Sequence, residues 1–151
     1  MSIEIKKLEV KDKDRVLGLL ATDDLRPEGI LEKGTTYWGA FDADKLVGVI
    51  GCEYENNCGL LRSALVDHAY RKLGIAKMLT RALLTEAAEN DLEAVYLFST
   101  EAGAYWARLG FVRVAVEEAT RKLGNTPQVK LFEQLGWLPT EVAYKLNPVD
   151  F

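Results

Sequence analysis

The sequence is poor in the residues that build metal cages and disulfide frameworks. Its 151 residues contain two cysteines and one histidine, too few for a four-ligand metal site. The two thiols also make a poor disulfide. If Glu55-Asn56-Asn57-Cys58 closes a two-residue hairpin, Cys52 opposes Leu61 and Cys58 opposes Glu55. Side chains alternate along strands, so the two thiols then point to opposite sheet faces. Both read as reduced thiols in packing or surface roles. Positive charge is not in excess: Lys+Arg is 19 against Asp+Glu 23, a net charge of -4. That balance argues against a general nucleic-acid binder and leaves room for a local basic pocket. No apolar run approaches the roughly 20 residues of a membrane span. Met1-Ser2-Ile3-Glu4-Ile5 alternates polar and apolar and lacks a signal peptide's apolar centre, so the expected compartment is the cytosol. Internal repeats, low-complexity tracts and long linkers are missing too. With 48% apolar and 28% charged residues, the chain reads as a single globular domain over 1–151.

The pattern of apolar residues predicts the order of elements. Residues 3–8 read as a strand, and Lys11-Asp12-Lys13-Asp14 opens a helix to about Leu20. Pro27 is expected to start a second short helix that Gly34 ends. Strands over 37–41, 46–54 and 60–66 follow, with Asn56-Asn57 as a turn needing positive φ. From Gly74 to about Asn90, Ile75, Met78, Leu79, Ala82, Leu83 and Ala87 fall at helical spacing. Ala94–Phe98 is a continuous apolar run, read as a buried central strand. A short helix over 102–109 ends at Gly110, and 111–116 is a strand. Residues 117–139 are the least regular, with a helix from Pro127 to Leu135 closed by Gly136. Residues 141–146 form the last strand. The class is mixed α/β and not a doubly wound parallel sheet, because antiparallel strands come in a row.

The segment with chemistry in it is Arg71-Lys72-Leu73-Gly74-Ile75-Ala76-Lys77, between the fourth strand and the longest helix. A helix N-terminus offers free backbone N–H groups and the positive end of the macrodipole. Gly74 and Ala76 are small, and Arg71, Lys72 and Lys77 are cationic. Together they suit a pyrophosphate; an ordinary strand-to-helix turn with solvated basic residues has the same composition.

Two motifs in order carry a resemblance. Arg71, Gly74 and Ala76 match Gln/Arg-x-x-Gly-x-Gly/Ala, after a strand reading Leu60-Leu61-Arg62-Ser63-Ala64-Leu65-Val66. Trp106-Ala107-Arg108-Leu109-Gly110-Phe111 matches a short helix ending aromatic-x-x-x-Gly-Phe. Over nearly its whole length the chain resembles the GNAT superfamily of N-acetyltransferases. The resemblance implies a central, mostly antiparallel twisted sheet of about seven strands, with the fourth and fifth splayed apart and helices on its flanks. It implies acetyl-coenzyme A as co-substrate and no metal. Backbone groups of Ala64, Leu65 and Val66 would bond the pantetheine arm. The N–H groups from Leu73 through Gly74, Ile75 and Ala76 to Lys77 would hold the pyrophosphate, with Arg71 and Lys72 alongside. A bulge in the fourth strand would seat the thioester carbonyl, with the Leu65 N–H as oxyanion donor.

The implied reaction is direct attack of a neutral amine on the thioester. Glu53 on the third strand and Arg62 on the fourth share a face as diagonal neighbours in the hairpin register. Glu53 is read as the proton acceptor and Arg62 as the holder of an anionic group; the alternative is a cross-strand surface salt bridge. Many relatives carry Tyr at the position of Trp106, so Tyr105 is the candidate acid, against a packing role beside the cofactor arm. Ser99 either touches the pantetheine or caps the next helix. Trp38, a candidate substrate-binding residue, and Trp137, a candidate part of a substrate wall, read otherwise as core or rim aromatics, and His68 lies on the wrong side of the arm for the acetyl group.

Within the superfamily, Gly59–Ser63, Phe98-Ser99-Thr100 and Trp106–Phe111 look most like a branch linked to arsenic resistance, with glutamate N-acetyltransferases as more distant kin. That branch has a non-Tyr aromatic at the acid position and a Glu where Glu53 stands. The implied substrate is a small amino acid or an amino-acid-like molecule with a free α-amine. Segment 121–139 departs from that branch. A sensor that binds acetyl-coenzyme A without turnover, and an enzyme acting on proteins or peptides, are the competing readings. The irregular 117–139 segment and the last strand also admit a homodimer, which nothing in the sequence requires.

Overall fold

A computed structural model describes residues 2–151. The strands are β1 (Ile3–Lys7), β2 (Thr35–Asp42), β3 (Lys45–Glu55), β4 (Cys58–Val66), β5 (Ala94–Phe98), β6 (Val112–Val114) and β7 (Ala143–Leu146). The helices are α1 (Lys13–Ala21), α2 (Ile75–Glu89), α3 (Gly103–Arg108), α4 (Val116–Leu123) and α5 (Pro127–Leu135). The strands form one sheet in the order β1-β2-β3-β4-β5-β7-β6. β1 runs antiparallel to β2, and β7 runs antiparallel to both β5 and β6. β4 and β5 are parallel, as a crossover through α2 requires. Their register pairs run from Cys58↔Ala94 to Leu60↔Tyr96, although β4 continues to Val66 and β5 to Phe98. This is the mixed sheet expected from the order of elements.

The chain folds as two compact units. Met1–Cys52 and Arg62–Leu83 form the first; Glu53–Leu61 and Leu84–Phe151 form the second. In the first, Val16, Leu19 and Leu20 of α1 share a core with Tyr37, Val49 and Leu65 of the strands. α2 lies close on β3 because Gly48 has no side chain. A Cβ there would come within 3.1 Å of Leu79 and 3.3 Å of Ile75, so this glycine sets how near the first turn of α2 approaches the sheet.

In the second unit, Leu60, Tyr96, Leu123 and Val129 are part of one core. The hairpin tip is anchored on the joint between α4 and α5. The Glu55 carboxylate accepts from Asn125 N at 2.8 Å and Asn125 Nδ2 at 2.7 Å, and Asn56 Nδ2 donates to Lys122 O at 2.7 Å. Asn56 and Asn57 have φ of 52° and 58°, the two left-handed residues of a tight hairpin.

Three expectations are corrected. The short helix from Pro27 to Gly34 is not formed. Gly29, Leu31 and Gly34 have φ of 80°, 55° and 87°, which breaks any i→i+4 ladder, and Ile30 is drawn fully into the core. The strand expected over 111–116 shrinks to Val112–Val114, because Val116 opens α4. The 117–139 segment contains a helix the sequence reading passed over. In α4, Glu117 and Glu118 occupy the first turn, Arg121 and Lys122 the last, and Ala119 and Leu123 are buried four residues apart, a charge order that the macrodipole favours.

Candidate active site

The second motif has a mechanical meaning. At the end of α3, Phe111 N–H donates to Trp106 O at 3.1 Å and Gly110 N–H to Ala107 O at 3.0 Å. Gly110 has φ 103°, and the rings of Trp106 and Phe111 meet edge to face with centroids 5.5 Å apart. This is a Schellman end with its apolar contact. It needs a left-handed glycine flanked by two residues that can touch, which is the aromatic-x-x-x-Gly-Phe pattern. Trp106 is therefore a buried staple.

The first motif builds an open bend. Lys72 and Gly74 have φ of 64° and 81°, and Arg71, Lys72, Leu73 and Gly74 are all exposed. Met78 N–H to Gly74 O at 3.1 Å opens the ladder of α2, so the amides of Ile75, Ala76 and Lys77 precede it and lie at the positive end of the helix. No acidic residue occupies that first turn. A Cβ on Gly74 would meet nothing within 4 Å; the glycine is required by its φ, and the space above it is open.

The polypeptide leading into this bend is held on several sides. Arg71 Nε donates to Val66 O at 2.9 Å, and its guanidinium contacts Asp23 Oδ2 at 2.7 Å. His68 Nε2 lies 2.8 Å from Asp23 Oδ1. The Arg71 hydrogen bond, followed by that of His68, holds the Asp23 carboxyl below its ordinary pKa. Tyr70 donates to Asp42 Oδ2 at 2.7 Å, and the Asp67 side chain accepts from Ala69 N at 2.9 Å.

In β4, Ser63 has φ 58°, the left-handed residue that marks a bulge. Ser63 is half-buried and Ala64 exposed, and then Leu65 and Val66 are buried again. Arg62 is 4% exposed. Its Nε donates to Ser63 Oγ at 3.1 Å and its guanidinium to Arg26 O at 3.3 Å. Trp38 belongs to the same unit and is only 6% exposed in β2.

Glu53, Ser99 and Tyr105 belong to the second unit. Glu53 is 1% exposed, and its Oε1 accepts the backbone N–H of Gln128 at 2.9 Å. Pro127 precedes Gln128 at the start of α5, and the Thr126 hydroxyl turns back to Leu123 O at 2.6 Å. Glu53 thus does the capping that Thr126 leaves undone. Sequence reasoning missed Gln128, because nothing local ties it to a residue 75 positions earlier. Ser99 Oγ accepts from Ala102 N at 3.0 Å just before α3, whose N-cap is Ala102 itself, without a side-chain cap. The Tyr105 hydroxyl is shielded from solvent, and its ring packs edge-on against Trp106 with centroids 5.0 Å apart.

Residues 4–111 match the family model described as the acetyltransferase (GNAT) family. The chain belongs to the GNAT acetyltransferase family. Among curated relatives it is 33% identical over 126 residues to the N-acetylaspartate synthetase of Xenopus tropicalis. That alignment takes in 77% of this chain and 46% of the relative, so the chain spans just under half the length of that protein. Among solved structures, the N-acetylglutamate synthase of Neisseria gonorrhoeae, complexed with coenzyme A and N-acetyl-glutamate, superposes with a TM-score of 0.77 at 17% identity. The match covers 97% of this chain and 35% of that one. Rv2747 of Mycobacterium tuberculosis, in complex with CoA, gives 0.73 at 20% identity, covering 95% and 98%. At such identities the shared property is the fold. No helix among the described residues is long and apolar enough to cross a membrane, and the described residues contain no cluster of three or more His, Cys, Asp or Glu that could hold a metal.

Proposed function

We propose that this chain transfers the acetyl group of acetyl-coenzyme A to the amine of a small amino acid or amino-acid-like molecule. The observation that carries the proposal is the bend at Arg71–Gly74, exposed and cationic, open above a left-handed Gly74 and leading into a first turn of α2 without an acidic residue. Such a bend fits a pyrophosphate, whose oxygens accept from the amides of Leu73 to Lys77. The exposed backbone after the Ser63 bulge suits the pantetheine arm, which would bond at Ala64, Leu65 and Val66 as an added strand does. Relatives solved with coenzyme A support the same ligand.

Bound acetyl-coenzyme A supplies an acetyl group activated as a thioester. As the amine nitrogen bonds to the carbonyl carbon, the carbon–sulfur bond breaks, so the amine must lose a proton and the thiolate must gain one. Glu53 takes the amine proton through a water molecule. Tyr105 returns one to the thiolate. Arg62 holds the substrate carboxylate, a pairing that planar guanidinium groups favour. The α-amine of a free amino acid is largely protonated at neutral pH, so attack needs a base to remove that proton. The N-acetylaspartate synthetase and N-acetylglutamate synthase relatives support an amino-acid acceptor. The arsenic-resistance-like branch adds an amino-acid-like arsenical to the candidates.

The test is a thiol-release assay with acetyl-coenzyme A against L-aspartate, L-glutamate, other amino acids, polyamines and N-terminal peptides. Turnover with an amino acid, and an Arg62→Ala variant with a raised KM for that acid, is the expected result. Binding without turnover on any amine would replace this reading with a sensor, and turnover confined to peptides would replace the substrate class.

A further inference from the structure

Asp23 stands where a carboxylate is least welcome. At the end of α1, Leu25 N–H donates to Leu20 O at 3.1 Å, Asp24 N–H to Ala21 O at 3.5 Å, and Asp24 has φ 54°. This is a Schellman end, so hydrogen bonds of the helix terminus fix where the Asp23 backbone lies. The last turn of α1 contains no basic residue, and a negative charge at that end opposes the macrodipole. Both carboxylate oxygens are nonetheless engaged by side chains from the segment after β4: Oδ2 by the Arg71 guanidinium at 2.7 Å and Oδ1 by the His68 imidazole at 2.8 Å. Arg71 is fixed a second time through Nε to Val66 O at 2.9 Å. A guanidinium has five N–H donors in a planar fork. Orienting two edges of that fork leaves the remaining donors in one defined direction.

We propose that Asp23 is a positioning residue for the cofactor site, which orients the Arg71 guanidinium toward the phosphates of coenzyme A. The inference rests on the reading of the bend as a pyrophosphate site. Asp23 itself touches no ligand; it acts through Arg71, and His68 shares the carboxylate. Its own charge repels phosphate, so an effect through Arg71 and a direct electrostatic effect have opposite signs.

The experiment is a double-mutant cycle read by calorimetric titration with coenzyme A. Asp23→Ala should raise Kd about tenfold in the wild-type background and less than about twofold in an Arg71→Ala background. Asp23→Glu should recover part of the loss, and the KM for the amine should stay unchanged. Circular dichroism and thermal unfolding report whether each variant is folded. Tighter binding by Asp23→Ala, unchanged binding, or an equal loss in both backgrounds would overturn the proposal while the bend keeps its ligand. A wild-type protein that does not bind coenzyme A would overturn the bend's assignment and this inference together.

Discussion

The Glu53 carboxylate accepts the backbone N–H of Gln128 at 2.9 Å, so one buried acid both ends a helix and is the candidate base. The two roles separate by substitution. Glu53→Gln keeps an oxygen for the Gln128 N–H but removes the basicity. It should lower kcat more than tenfold with coenzyme A affinity unchanged. Glu53→Ala should in addition cost about 1 kcal/mol or more of stability through the lost cap. Steady-state kinetics and urea unfolding of the two variants check this; equal kinetics for Glu53→Gln and wild type would remove Glu53 from the chemistry.

Gly74 tests the bend by itself. With open space around its Cβ position and φ 81°, alanine pays only for the left-handed backbone, about 1–2 kcal/mol. Gly74→Glu adds bulk and negative charge where the proposed function places phosphate oxygens. Coenzyme A titrations should show a loss of several-fold for alanine and no measurable binding for glutamate.

Burial raises the pKa of Glu141, an effect only partly opposed by its backbone hydrogen bond at Val142. A carboxyl raised in the folded state is ionised at neutral pH at the expense of the fold, so its cost is present at high pH and vanishes once both states are protonated. Glu141→Gln should therefore be more stable than wild type at pH 8. The difference should close as pH falls through the raised folded value toward the ordinary 4.3 or so. Unfolding midpoints at pH 8 and pH 4 measure it.

Both cysteines are buried, and neither is in a disulfide. The Cys58 thiol is pushed up to about 11, first by burial and then by the nearby Glu93 carboxylate. Thiol reagents at pH 8 should leave the folded protein unlabelled over minutes and modify both sites in denaturant.

Periodicity made the regular elements legible: the alternating strands and the apolar stripe of α2 lie where the residues predict them. The Pro27 helix failed because Gly29 follows it by two positions and Ile30 is drawn into a core that local propensity does not describe. α4 carried a readable signal, acids first and bases last, masked by its polarity. The exposed bend at Arg71–Gly74 is legible because its residues are consecutive. The partners that hold its neighbours, Asp23 for Arg71 and Asp42 for Tyr70, come from 48 and 28 positions away, and single-sequence spacing contains no trace of such contacts.

The most direct measurement is an amide-resolved NMR titration of the isotopically labelled protein with coenzyme A. The account predicts saturable shifts that are largest for the amides of Leu73, Gly74, Ile75, Ala76 and Lys77, and that disappear in Gly74→Glu. Saturable binding that moves other amides and leaves those five in place would contradict it.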